Sequence, residues 1–371
     1  MKSCLFFLII GLFTLPLLAQ LPYNTAAPNG FTKKAIISEQ VGLTQVTITY
    51  HRPAVNGREG KIWGQVVPKG FIDQGFGNGK LAPWRAGANE TTVIEFDKDV
   101  KVEGQLLPKG KYGLFIAYDP LESTVIFSKN ADAWGSFFYD EKEDELRVKV
   151  KPQSTEKSVE LLKYEFTGQT LNAAVIALCW EKLSIPFKVE VDYLKQQFDA
   201  FVIESQNPRG FTSQGLNIAA SWSLQNNYQL EKALEWATLA TGPNFPGDPT
   251  SFPGLSTKAA ILEKLGKTDE AAAVIKTALP FGSTNQLQQF GRQLLTAKKP
   301  KAALEVFQFN QNKNPNHFIT LTGMARGLSA NGDYLKALEF ANKALPLAPN
   351  DANKQVVAAM IEKLKAGKDI N

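Results

Sequence analysis

The spacing of apolar residues changes near Val191, and this change constrains the fold more than any other feature. Before it, apolar residues such as Val46 and Ile48 alternate with polar ones, a period of two that is typical of β-strands. After it, residues such as Leu194 and Phe198 follow the spacing of an amphipathic helix. The sequence therefore predicts an α+β multidomain chain, with a β-rich domain followed by an all-α domain.

Turn-forming pairs separate the alternating runs of the first half. They are Asn56-Gly57, Asn78-Gly79, Glu103-Gly104, Lys109-Gly110 and Asp119-Pro120. Many short strands joined by such turns are typical of antiparallel sheets that form a sandwich or a barrel. We therefore expect an antiparallel β sandwich or barrel-like domain over residues 38–191.

The last third of the sequence repeats with the 34-residue offset of tetratricopeptide units. The matching pairs are Ala303 with Ala337, Phe307 with Ala341, and Pro315 with Pro349. Looser copies contain Gly266, Ala271 and Ala278, and Tyr228, Ala233 and Ala240. Three to four units are predicted, forming a tetratricopeptide-like solenoid over residues 211–371 after a helix and linker at 192–210. A plain helical bundle is the alternative.

The first residues have the pattern of a secretory signal peptide. Lys2 precedes the apolar segment Leu5 to Phe13, and a small residue, Ala19, stands before Gln20. The apolar segment is too short to span a membrane, which takes about 20 residues. We expect cleavage after residue 19, an N-terminal extension at 20–37, and a periplasmic or extracellular protein without a membrane span. An uncleaved membrane anchor is the alternative.

Composition and charge narrow the class of partners. The chain is 44% hydrophobic and 21% charged, which excludes a disordered protein. Residues 20–190 contain 21 basic and 21 acidic residues, and residues 191–371 contain 19 and 15. The basic residues are spread among acidic ones rather than gathered in a stripe, so no nucleic-acid partner is expected.

Common catalytic and metal-binding motifs are absent from the sequence. The only histidines, His51 and His317, lie in different halves, and Cys179 is the one cysteine that follows the leader. Cys179 stands in an apolar stretch, so we expect a buried, inert thiol. The acidic run from Asp140 to Glu145 is interpreted as a solvated turn rather than a calcium site. No metal and no cofactor are predicted.

Three groups of residues carry a resemblance to a known family. They are Tyr50 to Arg58 with Val67-Pro68, Trp84 to Thr92, and Leu107 to Phe115 followed by Trp134-Gly135, Tyr139-Asp140 and Asp144 to Val148. In this order they resemble the bacterial secreted family catalogued as domain-of-unknown-function family 2911, over about Ser38 to Val191. The resemblance implies an exported domain and brings no established activity. The segment from Phe71 to Pro83 is a longer, glycine-rich insertion, which we expect to cover or reshape any site beside Arg85.

Side chains suited to hold a ligand are concentrated in these motifs. The candidates for ligand binding are Tyr50, Arg52, Arg58, Trp84, Arg85 and Asn89. Guanidinium groups offer planar pairs of donors and aromatic faces stack on rings, so an anionic or carbohydrate ligand is expected. Alternatively, Arg52 and Arg58 pair with Glu59, Glu90 or Asp97 and fasten loops. Trp63, Trp134 and Trp180 are expected in the core.

Glu90 is a weak candidate for a catalytic residue, as a general acid or base with a second carboxylate that the sequence does not identify. Alternatively, Asn89 and Glu90 bind backbone groups at a turn. The leading hypothesis is an exported, non-enzymatic protein whose β domain binds an envelope-associated ligand and whose repeats dock a protein. The alternatives are an envelope hydrolase that uses Glu90 and a purely structural envelope protein.

Overall fold

The computed structural model describes residues 32–371 of the chain. The predicted leader with Cys4, and residues 20–31 of the predicted extension, lie outside the described residues. The chain divides into two compact units, one ending at Tyr193 and the other beginning at Leu194. We call them the β domain and the helical unit.

The β domain consists of short antiparallel strands and two long ones. In chain order they are β1 (Lys33–Val41), β2 (Thr44–Arg52), β3 (Ile72–Asp73), β4 (Leu81–Ala82), β5 (Thr92–Phe96), β6 (Val100–Val102), β7 (Gln105–Leu107), β8 (Gly110–Ala117), β9 (Ser123–Ser128), β10 (Asp144–Val150), β11 (Gln153–Thr167) and β12 (Ala173–Glu190).

These strands form two main sheets. The larger has the order β1-β2-β5-β8-β9-β10, so β1 and β10 are its edges, and the smaller has the order β11-β12-β6-β7. Strands β3 and β4 pair only with each other. All of these pairings are antiparallel.

The core of the β domain lies between the two main sheets. Val46, Ile48 and Tyr50 alternate along β2 and are buried, as the period of two predicts. They share one cluster with Trp180 and Phe187 of β12. The predicted β sandwich is therefore confirmed.

The tryptophans divide between the core and the surface. Trp180 is buried and stacks on Trp84, with ring centroids 6.1 Å apart, while half-buried Trp63 packs against both. Trp134 is 54% exposed, so its prediction as a core residue is wrong. It lies in the loop between β9 and β10 rather than in a strand, and no sheet face covers it.

The glycine-rich insertion covers the outer face of the larger sheet. Phe115 and Ile126, on β8 and β9, point away from the main core and are buried in a smaller cluster with Ala82 and Tyr139. Ala82 belongs to β4, inside the insertion. Two strands of this sheet are therefore buried on both faces.

The helical unit consists of antiparallel helices of 11 to 15 residues. In chain order they are α1 (Tyr193–Glu204), α2 (Ser213–Asn226), α3 (Leu230–Ala240), α4 (Phe252–Lys264), α5 (Thr268–Ala278), α6 (Thr284–Thr296), α7 (Pro300–Lys313), α8 (Phe318–Ala330), α9 (Tyr334–Ala344) and α10 (Asp351–Lys365).

The helices from α2 to α9 form four successive pairs, which confirms the predicted tetratricopeptide-like architecture. The small residues of the sequence pattern, Ala233, Ala271, Ala303 and Ala337, lie near the start of the second helix of each pair and are buried. Their lack of bulk allows the paired helices to approach closely.

Side-chain caps fix where many of these helices begin. A side-chain atom accepts a hydrogen bond from a backbone N–H of the first turn at Thr212, Ser251, Ser283, His317, Asp333 and Asn350. No helix within residues 32–371 is long and apolar enough to cross a membrane.

Candidate functional site

Two of the predicted ligand-binding residues lie in the core. Tyr50 meets Tyr164 edge-on, with ring centroids 4.8 Å apart, and its hydroxyl accepts a hydrogen bond from the Tyr164 backbone at 3.3 Å. The indole nitrogen of Trp84 donates to the carbonyl of Gly87 at 3.1 Å. The structure therefore places Tyr50 and Trp84 where they support the fold beside the site.

Arg52 and Arg58 bind backbone carbonyls. Nε of Arg52 donates to the carbonyl of Leu162 at 2.9 Å, which joins β2 to β11. Nε of Arg58 donates to Val55 at 2.9 Å and its Nη2 donates to Ala54 at 2.6 Å, which closes a turn. Among the described residues neither forms an ion pair within 4.0 Å, so the proposed pairing with Glu59, Glu90 or Asp97 is not observed.

Arg85 differs from Arg52 and Arg58 because, within residues 32–371, its guanidinium has neither a carbonyl hydrogen bond like theirs nor an ion pair. Its guanidinium lies over the ring of Phe137, 5.6 Å from the ring centroid. Nε is buried and has no hydrogen-bond partner, and no carboxylate of residues 32–371 lies within 4.0 Å of the group. Burial lowers the pKa of Arg85 from its ordinary value.

The loop between β9 and β10 packs directly onto Arg85. Gly135 has a φ of +59°, and a Cβ at this position would lie 2.7 Å from Nη1 of Arg85 and 3.2 Å from the carbonyl oxygen of Asn89. The Thr91 hydroxyl holds this loop, at 2.7 Å from the carbonyl of Ala133 and 2.9 Å from that of Gly135. Only glycine fits here without moving the guanidinium.

The segment that carries Arg85 is itself strained and tightly held. Ala86 has a φ of +51° and Asn89 a φ of +58°, which is uncommon for residues with a side chain. The carbonyl of Ala86 accepts hydrogen bonds from the hydroxyls of Tyr164 at 2.8 Å and Thr92 at 3.1 Å. Backbone strain that is overdetermined in this way is concentrated at functional sites.

Next to Arg85, a buried histidine is held from both sides. Nε2 of His51 lies 2.5 Å from a carboxylate oxygen of Glu90, and Nδ1 lies 3.3 Å from the side-chain nitrogen of Asn89. The same nitrogen of Asn89 donates to the hydroxyl of Thr32 at 2.8 Å. Asn89 and Glu90 thus bind side chains here rather than the backbone groups proposed from the sequence.

Burial lowers the pKa of His51 below its ordinary value of 6.5. The charge of Glu90 opposes this effect, and the charge of Lys34, which pairs with His51 across β1 and β2, adds to it. The contact between Nε2 and Glu90 is a close approach that lacks the geometry of a hydrogen bond, whereas Nδ1 is within hydrogen-bond distance of the Asn89 amide.

The glycine-rich insertion reaches this site through Phe137. The ring of Phe76 lies 4.3 Å from that of Phe137, centroid to centroid, and the backbone N–H of Asn78 donates to the Phe137 carbonyl at 3.0 Å. The insertion therefore supports the aromatic ring on which Arg85 lies.

We define the Arg85 site as Arg85, Asn89, Gly135 and Phe137, with His51 and Glu90 beside it. It can receive an anion, because Arg85 has unused donors that match the oxygens of a carboxylate or phosphate. Sequence reasoning selected Arg85, Asn89 and Glu90 but missed His51, Gly135 and Phe137. A signal was present for His51 and Gly135, since both stand inside the motifs of the resemblance.

The other candidate sites are occupied by internal contacts. Asp144 accepts from Tyr139 and from Arg147, both at 2.6 Å, and Lys80 pairs with Asp140. Within residues 32–371 no group of three or more metal-ligating side chains is present. Cys179 is buried, and burial raises its pKa, as expected for an inert thiol.

Solved structures similar to this chain are tetratricopeptide proteins. They include YrrB, titled a tetratricopeptide protein with an unusual peptide-binding site, at 18% identity over 47% of this chain and 87% of that chain, with a TM-score of 0.28. Another is TTC0263, a thermophilic protein of Thermus thermophilus, at 19% identity over 46% of this chain and 93% of that chain, with a TM-score of 0.30.

No curated protein matches the chain. A family match is found for the β domain, over residues 32–189, and it is the family described as "Protein of unknown function (DUF2911)". The residues matched contain every motif from Tyr50 to Val148 on which the resemblance was based. The β domain of this chain therefore matches this family over residues 32–189, as its motifs predicted.

Proposed function

We propose that this is an exported, non-enzymatic binding protein whose β domain takes an anionic ligand at the Arg85 site and whose helical repeats dock a protein partner. The observation that carries the ligand proposal is the half-buried guanidinium of Arg85, with a buried Nε that has no partner and no carboxylate within 4.0 Å among the described residues.

The energetics of that guanidinium favour an anion. A partly buried charge without a partner is unfavourable, and a bound oxyanion supplies the missing acceptors. Each hydrogen bond between charged groups contributes about 1.5–3 kcal/mol. A carboxylate and a phosphate share the required geometry, since both present two oxygens to the guanidinium. The exposed ring of Trp134, next to Gly135, is available to a planar or sugar part of such a ligand.

The contacts of His51 and Glu90 favour binding over catalysis. Nδ1 of His51 lies 3.3 Å from the Asn89 amide nitrogen, and Glu90 contacts the imidazole of His51 through Nε2. A hydrolase that uses Glu90 as general acid or base needs a further group in reach of the substrate. The ion-pair contact that the described residues give Glu90 is with His51.

Other grounds support export and protein docking. The signal-peptide pattern of residues 1–19 supports export. Stacked helix pairs present an extended surface on one side of the array, which suits them to bind other proteins.

The ligand proposal is tested by thermal shift of the full chain with citrate, inorganic phosphate, glucose 6-phosphate and glucose. A ligand at about 100 times its dissociation constant adds about 2.7 kcal/mol of stability. We expect a shift with an anionic compound in the wild type and none in Arg85→Ala. Arg209→Ala, which removes an exposed arginine from the helical unit, is the matched control.

Arg85→Lys is a second variant, made in case Arg85→Ala does not fold. It keeps the positive charge and loses the planar pair of donors. We expect a smaller shift in this variant than in the wild type. Equal shifts in the wild type and in folded Arg85→Ala, or a shift with glucose alone, would contradict an anion site at Arg85.

A further inference from the structure

Two neighbouring helices of the helical unit carry arginine and no acidic residue. Helix α6 contains Arg292 and helix α8 contains Arg326, and neither helix contains an aspartate or glutamate. Between residues 271 and 332 the only acidic residue is Glu305, whereas seven lysines and arginines occur there. This part of the unit therefore has a local excess of positive charge.

The fold brings the two arginine-bearing helices side by side. A Cβ on Gly291 of α6, or on Gly323 of α8, would overlap the ring of Phe307. A Cβ on Gly323 would also overlap the side-chain oxygen of Gln288, so the two helices touch at Gln288 and Gly323. Arg292 lies one turn beyond Gln288, and Arg326 one turn beyond Gly323.

The two arginines occupy equivalent positions in successive repeats. They are 34 residues apart, the offset of the repeat pattern. Arg292 directly follows Gly291, and Arg326 directly follows Ala325, and both of these small residues are buried in the unit. The repeat geometry therefore presents both guanidinium groups on one side of the α6/α8 pair.

The charge of Arg326 is not neutralised within the unit. Arg326 is half-buried and forms no ion pair within 4.0 Å among the described residues. Burial, and next the positive charge of Arg292, lower its pKa, while the charge of Asp369 acts in the opposite direction. A carboxylate oxygen of Asp369 already accepts from the Ser329 hydroxyl at 2.7 Å and the Ile370 backbone at 2.8 Å.

Amide side chains accompany the arginines on α6. The side-chain oxygen of Gln288 is buried without a hydrogen-bond partner. Helix α6 also carries Asn285, Gln289 and Gln293, and all three are exposed. Amide groups both donate and accept, which matches the alternating N–H and C=O groups of a peptide backbone. Arginines together with amide side chains therefore suit the binding of a peptide better than the binding of a simple ion.

We propose that the α6/α8 face, formed by Gln288, Arg292 and Arg326, binds an acidic peptide segment of the protein partner. This inference rests on the proposed docking role of the repeats and adds the chemistry of the partner. Glutamate or aspartate side chains of the segment pair with the two arginines, and its backbone hydrogen-bonds to the amide of Gln288.

Fluorescence anisotropy of the full chain tests this directly with labelled hexaglutamate, hexaglutamine and hexalysine. We expect saturable binding of hexaglutamate only, weakening as ionic strength rises above about 0.1 M, where screening lengths fall to about 10 Å. Binding of hexaglutamine or hexalysine in place of hexaglutamate would overturn the acidic partner and leave docking by the repeats standing. If none of the three peptides binds, the result would contradict both the acidic partner and docking by the repeats.

Substitutions then locate the binding surface. Arg292→Gln is expected to raise the dissociation constant for hexaglutamate about tenfold, the loss of one hydrogen bond between charged groups. Arg292 is exposed, so this variant is expected to fold. Arg209→Gln, which removes the same charge from an exposed loop of the same unit, is expected to bind like the wild type. Equal weakening by Arg209→Gln, or none by Arg292→Gln, would overturn the proposal.

Discussion

At the scale of single residues, Gly135 links backbone geometry to the charge of Arg85. We expect Gly135→Ala to weaken anion binding at the Arg85 site, because the new Cβ would lie 2.7 Å from Nη1 and displace the guanidinium. An alanine held at a φ of +59° also destabilises the β domain by about 1–3 kcal/mol. Thermal shift with the anion found for the wild type measures the loss of binding.

Gly104 offers a control that separates strain from contact. It has a φ of +78° in the turn between β6 and β7, and a Cβ there would meet nothing within 4 Å. Gly104→Ala is therefore expected to destabilise the β domain to a similar extent while the anion-induced shift stays at its wild-type size. If both alanine variants lose the shift, strain alone accounts for the effect.

His51 gives the β domain a dependence on pH whose sign follows from its lowered pKa. Between that lowered value and the ordinary 6.5, the unfolded chain binds more protons at this residue than the folded chain does. The free energy of unfolding therefore falls as the pH drops below 6.5. Above pH 6.5 the full contribution of His51 to the stability is present. We expect the free energy of unfolding to decrease less below pH 6.5 in His51→Gln than in the wild type. Urea denaturation at a series of pH values, monitored by tryptophan fluorescence, measures this.

The other histidine serves as the control for this measurement. His317 is exposed at the start of α8, in the helical unit. In His317→Gln the pH dependence of the β domain is expected to persist. A wild-type slope retained in His51→Gln would mean that another group titrates.

Alternation along β2 explains which site residues sequence reasoning found and which it missed. Tyr50 and Arg52 point to the same side of the sheet, whereas His51 between them points to the other, toward Glu90. The sequence motif that begins at Tyr50 therefore places its side chains on both faces of the sheet rather than in one cluster. Gly135 and Phe137 come from a loop that follows Arg85 by 50 residues or more, and single-sequence patterns do not report such contacts.

At the scale of elements, the ring of Phe307 holds two neighbouring repeats together. It is fully buried on α7 and packs against backbone of both α6 and α8, where Gly291, Gly323 and Gly327 leave room for it. We expect Phe307→Ala to destabilise the helical unit by about 3–5 kcal/mol, because a cavity of ring size replaces these contacts. Chemical denaturation followed by circular dichroism measures the change.

Leu335 provides the matched exposed position, at 80% exposure on α9. Leu335→Ala is expected to change the stability by no more than about 0.5 kcal/mol. Comparable losses in the two variants would show that the ring of Phe307 has no special place in the unit.

The helices were easier to predict than the small strands. Small residues and prolines recur at a 34-residue offset in the last two repeats, and looser copies precede them, so three to four helix pairs could be expected from spacing alone. Strands β3 and β4 have two residues each, which is too short for any period to be recognised. Their place on the outer face involves contacts between residues distant in sequence, such as Ala82 with Phe115 and Phe76 with Phe137.

At the scale of the whole molecule, export predicts a shorter mature chain. If residues 1–19 are a signal peptide, the protein recovered outside the cytoplasm of a bacterial host begins at Gln20. Intact mass spectrometry of that fraction and N-terminal sequencing check this directly. Recovery of the full-length chain from the membrane fraction instead would favour the uncleaved anchor.

The edges of the larger sheet have a consequence for the protein at high concentration. Strand β1 carries Lys33, Lys34 and Glu39, and strand β10 carries Glu145, Arg147 and Lys149. A strand from a second molecule that added to either edge would pack against these charged side chains, which opposes the addition. The sheet thus ends in charged strands that resist growth, and crowding does not readily turn this fold into a seed for fibrils.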